Sequence, residues 1–391
     1  MDEKCHNSFV IKFFFLFNFL IVVGQTVQKY NQSPNEYLNT LQIIKKYGYP
    51  AEAHMIETED GYLIEMHRIP HGKNKTMGDE GKKPPVFLQH GLFCSSEFFL
   101  LTVPNNSLAF ILADLGFDVW LGNVRGNIYS RANVKLKPDE YEFWDYTWHE
   151  CGVYDISSQI DFVLQKTNEK KLIYVGHSMG TTMYFVLMSE KPEYNKKIQV
   201  AQLMAPIAYM KNIISKLFGD GEFISHGGWL TRLGKIICEP LKIEVRLCLS
   251  VIYLLVGSDP REYDQAVLDV LLNHFSGGYS VKGVNHYAQL VQSGKFRQYD
   301  YGKLKNFIQY GSVKPPDYNL KNITAPTYLY LGKNDLLSTI PDVKRLVKQM
   351  TSVKNTFLVD YPKFSHLDFV LSKNVKKELY DYMINDIMSN L

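Results

Sequence analysis

The sequence predicts an α/β fold: a mostly parallel central sheet flanked by helices and interrupted by an inserted helical subdomain. Three observations predict it. From Lys83 onward, short apolar runs alternate with longer helical patterns, the appearance of parallel strands joined by crossover helices. One of these runs, Leu172-Ile173-Tyr174-Val175, ends in a Gly-x-Ser-x-Gly turn that opens into a helical pattern. The alternation then stops for about 120 residues between Ala205 and Thr327, too long a stretch for a structureless loop and therefore read as a helical insertion.

Each element follows from its residues. The tract before Gly81 reads as a strand pair followed by an exposed loop over His71 to Glu80. Val86-Phe87-Leu88 is a strand leading into His90-Gly91, Ser107 to Leu115 has helix-period apolar residues ending at Gly116, and Asp118-Val119-Trp120-Leu121 is the next strand. Leu172 to Val175 is a buried strand, and Thr181 to Glu190 a helix ended by Lys191-Pro192. Gln202 to Ala205, stopped by Pro206, Thr327 to Leu331, stopped by Gly332, and Thr356 to Val359 complete the strands. The expected organisation is a leader over 1–24, sheet core over 25–207, a helical cap over 208–310 and the rest of the core over 311–391. Within the insertion, Ile213 to Phe218 and Leu247 to Val256 suit either an apolar entrance or the insertion's own core.

Composition bounds the function. With 46% hydrophobic, 14% aromatic and 21% charged residues, the chain is globular rather than disordered. Its net charge of +3 is spread without a basic run, which excludes a nucleic-acid footprint, and pairs such as Lys196-Lys197 are solvated surface charge. Lys4 and Lys12 precede the apolar run Phe13 to Val23, which reads as a signal peptide cleaved after Gly24. That run is about half the ~20 residues needed to span a bilayer, so no transmembrane anchor is expected. The sequons at Asn31, Asn74, Asn105 and Asn322 fit secretory passage as glycosylation sites, the first weakened by Pro34. The mature chain keeps Cys94, Cys151, Cys238 and Cys248, whose spacings match no zinc ligand set, so no metal is expected. Cys238 and Cys248 are close enough to close a small loop in an oxidising compartment, or remain two buried thiols.

The chemistry centres on Ser178 in Gly176-His177-Ser178-Met179-Gly180. A serine hydroxyl needs a positioned base, and this turn presents it at a strand's end, the nucleophile elbow of the α/β-hydrolase fold. The amide of Met179, at the start of the following helix, and that of Leu92, after His90-Gly91, are the candidate oxyanion donors. Acid and then histidine follow the serine in this fold, each on a loop after a strand. Asp335 and His366 meet that requirement, with Asp360 as the second candidate acid; Asp368 is too close to His366 in sequence to orient it. His90, His149 and His177 precede the serine, and His274 and His286 fall in the insertion, so all five read as structural. The expected reaction is ester hydrolysis through an acyl-enzyme, without a cofactor.

Several stretches then carry a resemblance over most of the chain. Asp60-Gly61-Tyr62-Leu63, Met66-His67-Arg68-Ile69-Pro70, Gln89 to Leu92, Asp118 to Asn123, Arg125-Gly126-Asn127, Phe143-Trp144-Asp145, Gly176 to Gly180 and His366-Leu367-Asp368-Phe369 resemble signatures of the acid lipase family, which includes lysosomal acid and gastric lipases. The resemblance implies Ser178, Asp335 and His366 as a triad, Leu92 and Met179 as oxyanion donors, and a cap with a mobile lid between about Ala208 and Tyr310. It also implies a Cys238–Cys248 disulfide. Its substrates are triacylglycerols and cholesteryl esters met at a lipid–water interface, and its members are secreted or lysosomal; a monomer is expected. The competing expectations are a carboxylesterase for small or retinyl esters and a non-catalytic lipid-binding relative.

Overall fold

The computed structural model describes residues 38–73, 84–212, 257 and 278–391. The expected leader, Asn31, Asn74, Cys238, Cys248, His274 and most of the insertion, with Ile213 to Phe218 and Leu247 to Val256, lie outside the described residues.

Among the described residues nine strands form one sheet: β1 (Glu52–Glu57), β2 (Tyr62–Ile69), β3 (Val86–Gln89), β4 (Val119–Leu121), β5 (Ala132–Asn133), β6 (Leu172–His177), β7 (Ile198–Met204), β8 (Thr327–Leu331) and β9 (Val353–Leu358). Their order is β1-β2-β4-β3-β6-β7-β8-β9, with β5 on β2. The β1–β2 hairpin joins antiparallel through β2 to β4, and every pairing from β4 through β9 is parallel. Val86 and Leu88 enter one apolar cluster with Ile173 and Val175, while Phe87 enters the other with Tyr174. Successive side chains on a strand point to opposite faces, so each face has its own core and the central strands read as unbroken apolar runs.

Helices Leu108–Asp114 and Asp381–Met388 cover one face. The other carries Met179–Glu190 and a long helix built from Trp148–Glu150, a π-turn at Cys151–Ile156, and Ser157–Thr167. Of the insertion, helix Val281–Ser293 also packs on this face: the Tyr287 hydroxyl donates to Thr182 Oγ1 at 3.0 Å, and the His286 ring stacks on Trp148 at 3.7 Å. Helix Lys303–Tyr310 follows, with Leu304, Phe307 and Ile308 exposed.

Most strands fall where the sequence placed them, but β7 begins four residues and β9 three residues earlier than the apolar runs indicated. The first half of β9, Val353-Lys354-Asn355, is a polar edge whose outer side faces solvent.

Candidate active site

The carboxyl ends of the parallel strands assemble the site, as crossover topology directs ligands to that edge. Ser178 directly follows β6 and takes φ +53°, ψ −115°, a strained conformation for a residue with a side chain. It is held there by its N–H, which donates to the Met204 carbonyl of β7 at 3.1 Å, and by its carbonyl, which accepts from the Thr181 N–H at 2.8 Å. The flanking glycines have separate reasons. A Cβ on Gly176 would come 3.0 Å from the Gly180 backbone, and one on Gly180 would come 2.4 Å from the Gln89 carbonyl oxygen. A side chain at either position would force this backbone apart.

Three side chains from distant parts of the chain meet here. His366 Nε2 lies 2.7 Å from Ser178 Oγ and His366 Nδ1 lies 2.8 Å from Asp335 Oδ2. The carboxylate can only accept, so Nδ1 carries the proton and Nε2 offers its lone pair to the serine hydroxyl. Asp335 is wholly buried four residues beyond β8, and its Oδ1 accepts from the backbone N–H groups of Leu337 and Ser338 at 2.9 and 2.8 Å. This leaves Oδ2 aimed at the imidazole. Asp360, the second candidate acid, instead lies fully exposed and pairs with Lys333 at 2.9 Å. Asp368 accepts from the Ser365 N–H, bracing the loop that carries His366.

His149, His177 and His286 are structural in their contacts. His177 Nε2 donates to the His366 carbonyl at 2.9 Å, tying the nucleophile turn to the histidine loop. Burial, reinforced by the neighbouring His366, pushes the His177 imidazole down to about 3, so it stays neutral. His149 Nδ1 meets the Tyr318 hydroxyl at 2.8 Å, and His286 Nε2 donates to the Arg297 carbonyl at 2.9 Å.

Met179 is the first residue of its helix, so its N–H has no partner one turn back within the helix and sits beside the serine. On the opposite side, the Gly91 backbone approaches so closely that a Cβ there would be 3.1 Å from Ser178 Cβ; Leu92 follows it. Met179 and the Gly91–Leu92 loop thus adjoin the nucleophile. Cys94 and Cys151 are buried free thiols, and burial pushes the Cys94 thiol up to about 12, which disfavours its thiolate. Asn105 is exposed in a short turn, whereas Asn322 is half-buried with its Nδ2 donating to the Ser189 carbonyl at 2.8 Å.

Sequence reasoning gave no role to a second buried cluster. Arg125, 1% exposed, donates to Asp60 Oδ1 at 2.8 Å and to Asp155 Oδ1 at 2.7 Å, and its guanidinium lies 4.0 Å over the Tyr62 ring. Arg125 and Asp60 stand in resembling stretches, but Asp155 sits in the π-turn with no local signal.

Residues 40–103 match the family model described as the partial alpha/beta-hydrolase lipase region, and residues 84–217 match that of the alpha/beta hydrolase fold. Among curated proteins, human gastric triacylglycerol lipase is 39% identical, covering 91% of this chain and 92% of its own length. Human lysosomal acid lipase/cholesteryl ester hydrolase is 37% identical, covering 90% and 91%, and Drosophila melanogaster Lipase 1 is 39% identical, covering 92% and 81%. Of solved structures, VinJ superposes with a TM-score of 0.54 at 15% identity, covering 87% of this chain and 99% of VinJ, a likeness of fold alone. With relatives of this identity matched along nearly their whole length, the chain belongs to the acid lipase family of the α/β-hydrolase fold and is a carboxylic ester hydrolase.

Proposed function

We propose that this lipase cleaves carboxylic esters of neutral lipids, triacylglycerols and cholesteryl esters, through an acyl-enzyme on Ser178. The observation that carries the reading is the continuous hydrogen-bonded path Ser178 Oγ, His366 Nε2, His366 Nδ1, Asp335 Oδ2, with both links under 3 Å. His366 takes the Ser178 proton as Oγ attacks the ester carbonyl, and the Leu92 and Met179 amides bind the oxyanion. Collapse of that intermediate breaks the ester C–O bond, and His366 hands its proton to the departing alcohol. Water, deprotonated by His366, then attacks the acyl-enzyme; the acyl–Oγ bond breaks, His366 returns the proton to Ser178 Oγ, and the carboxylic acid leaves. Asp335 holds the imidazole orientation and stabilises its charged form.

The substrate class is supported by the names of the relatives, a gastric triacylglycerol lipase and a lysosomal acid lipase/cholesteryl ester hydrolase. The word lysosomal in the second name fits a secretory route, secreted or lysosomal, while cleavage after Gly24, a cap over 208–310 and a Cys238–Cys248 disulfide rest on the sequence reading. Of the four candidate glycosylation sites, Asn105 is exposed, while Asn322 has its amide engaged. Among the described residues no helix is long and apolar enough to cross a membrane.

The test is purified wild type against Ser178→Ala on emulsified triacylglycerol, cholesteryl ester and short soluble esters from acid to neutral pH. Loss of all hydrolysis with the fold retained is expected of the variant, and long-chain lipid esters are expected to be cleaved by wild type. Undiminished hydrolysis by Ser178→Ala would place the nucleophile elsewhere. Cleavage of short soluble esters alone would remove lipid from the assignment.

A further inference from the structure

The Arg125-Gly126-Asn127 stretch has no place in the proton path, yet it reaches the oxyanion loop through one buried imidazole. His90 is wholly buried, with Nδ1 2.7 Å from the Gly91 carbonyl oxygen and Nε2 3.3 Å from Asn127 Nδ2. The orientation of the Asn127 amide is determined by its other partners. Its Oδ1 accepts from the Tyr129 N–H at 3.1 Å, and its Nδ2 donates to Asn123 Oδ1 at 2.8 Å. Asn123 is itself oriented by backbone on both sides, its Oδ1 accepting from the Ser96 N–H at 2.9 Å and its Nδ2 donating to the Glu65 carbonyl at 2.7 Å.

It follows that a donor faces His90 Nε2. A neutral imidazole opposite a donor must present its lone pair there, so the single ring proton sits on Nδ1 and donates to the Gly91 carbonyl. Burial pushes His90 down to about 4, which keeps the ring in this neutral form. In a trans peptide, the carbonyl and the N–H of the following residue point in opposite directions. Anchoring the Gly91 carbonyl therefore sets the direction of the Leu92 N–H, in a loop whose Gly91 backbone lies against Ser178.

The geometry points to His90 as a positioning residue that aims the Leu92 amide at the oxyanion, with Asn127 selecting the imidazole tautomer that does so. The inference rests on the proposed role of Ser178 and deepens it. An oxyanion donor is effective only when preorganised, and a backbone donor cannot be deleted by changing its own side chain. Its orientation, however, can be released through His90.

The experiment compares wild type, Ser178→Ala, His90→Leu, His90→Asn and Asn127→Leu on a soluble ester, measuring kcat and KM separately, with circular dichroism to verify folding. An asparagine Nδ2 can stand where imidazole Nδ1 stands, so His90→Asn retains the donor to the Gly91 carbonyl and His90→Leu removes it. Expected is a kcat about 100-fold lower in His90→Leu at unchanged KM, the scale of losing one oxyanion donor, and a substantial recovery in His90→Asn. Asn127→Leu, which frees the tautomer without removing the ring, is expected to lower kcat by about tenfold. Phosphonylation of Ser178 by a fluorophosphonate, whose oxygen occupies the same hole, slows in the same order.

Equal losses in His90→Asn and His90→Leu, or a wild-type kcat in folded His90→Leu, overturn the inference. Should His90→Leu fail to fold, Asn127→Leu decides: a lowered kcat at unchanged KM supports it, and a wild-type kcat overturns it. Retained hydrolysis in Ser178→Ala would instead overturn the underlying active-site reading, and this inference with it. An inactive Ser178→Ala beside a fully active His90→Leu defeats the positioning role alone.

Discussion

Gly180 presses against Gln89: a Cβ on the glycine would lie 2.4 Å from the Gln89 carbonyl oxygen and 3.1 Å from that of His90. The helix behind the nucleophile thus rests directly on the strand that delivers the oxyanion loop. One backbone contact sets the spacing between the two halves of the site. Gly180→Ala must push them apart, because the obstructing atoms are backbone rather than the end of a flexible side chain. The expected outcome is a loss of about 1–3 kcal/mol in urea unfolding, the usual scale of overpacking, with a fall in kcat on a soluble ester. Wild-type values for both would show that the contact is readily relieved.

Two aspartates follow neighbouring strands, and their surroundings separate their roles. Asp335 is buried against His366 Nδ1, while the Asp360 side chain is fully exposed beside Lys333. Asp335→Asn should lower kcat by about four orders of magnitude, because an amide in that place no longer favours the imidazole tautomer that serves the serine. Asp360→Asn should leave kcat as it is. The reverse pattern, read from initial rates on one ester, would move the acid to Asp360.

What the sequence disclosed and withheld divides along a physical line. Ser178, Asp335 and His366 each follow a strand whose apolar run is local, so their positions could be read from strand ends and chain order. The start of β7 at Ile198 could not, because it emerges from the turn Pro192–Lys197 with neither glycine nor proline at the junction. Helix Met179–Glu190 begins where the turn motif placed it, directly after the strained Ser178 has turned the chain. Asn127, one of the two partners of His90, lies in another loop, and those of Arg125 lie 30 and 65 positions away. Such pairings leave motif residues visible in the sequence while concealing what they touch.

The Arg125 cluster yields its own test. Asp155 is wholly buried and receives both the Arg125 side chain and, at 3.0 Å, the Arg125 backbone N–H. Arg125→Met would leave that carboxylate without a countercharge in the core, a change that destabilises by about 3–5 kcal/mol. Arg125→Lys should recover only part of this, since an ammonium cannot bridge Asp60 and Asp155 as the planar guanidinium does. Urea unfolding of the three proteins measures it. A loss below about 1 kcal/mol in Arg125→Met would mean that Asp155 is protonated or hydrated once its partner is gone.

Acid should destabilise the fold through its buried imidazoles. Burial lowers His90 to about 4 and both His177 and His286 to about 3, against an ordinary value of 6.5. As pH falls below 6.5, the unfolded chain takes up protons at these three positions while the folded chain does not, so stability declines through that window. Asp155 acts in the opposite sense: burial raises it to about 6 from 3.8, so the folded chain is protonated there first and gains stability as pH falls between those values. Of these four groups the three imidazoles outweigh Asp155 near pH 5, each contributing up to about 1.4 kcal/mol per pH unit. His286 isolates one of them, since its ring is stacked on Trp148 and bonded to the Arg297 carbonyl rather than to a triad residue. Replacing it by glutamine costs stability at every pH but removes one titrating ring. The unfolding free energy of His286→Gln should therefore fall less steeply with acid than that of wild type, by about 1.4 kcal/mol per unit between pH 6 and 4.5. Parallel slopes for the two proteins would show that His286 is protonated in the folded state.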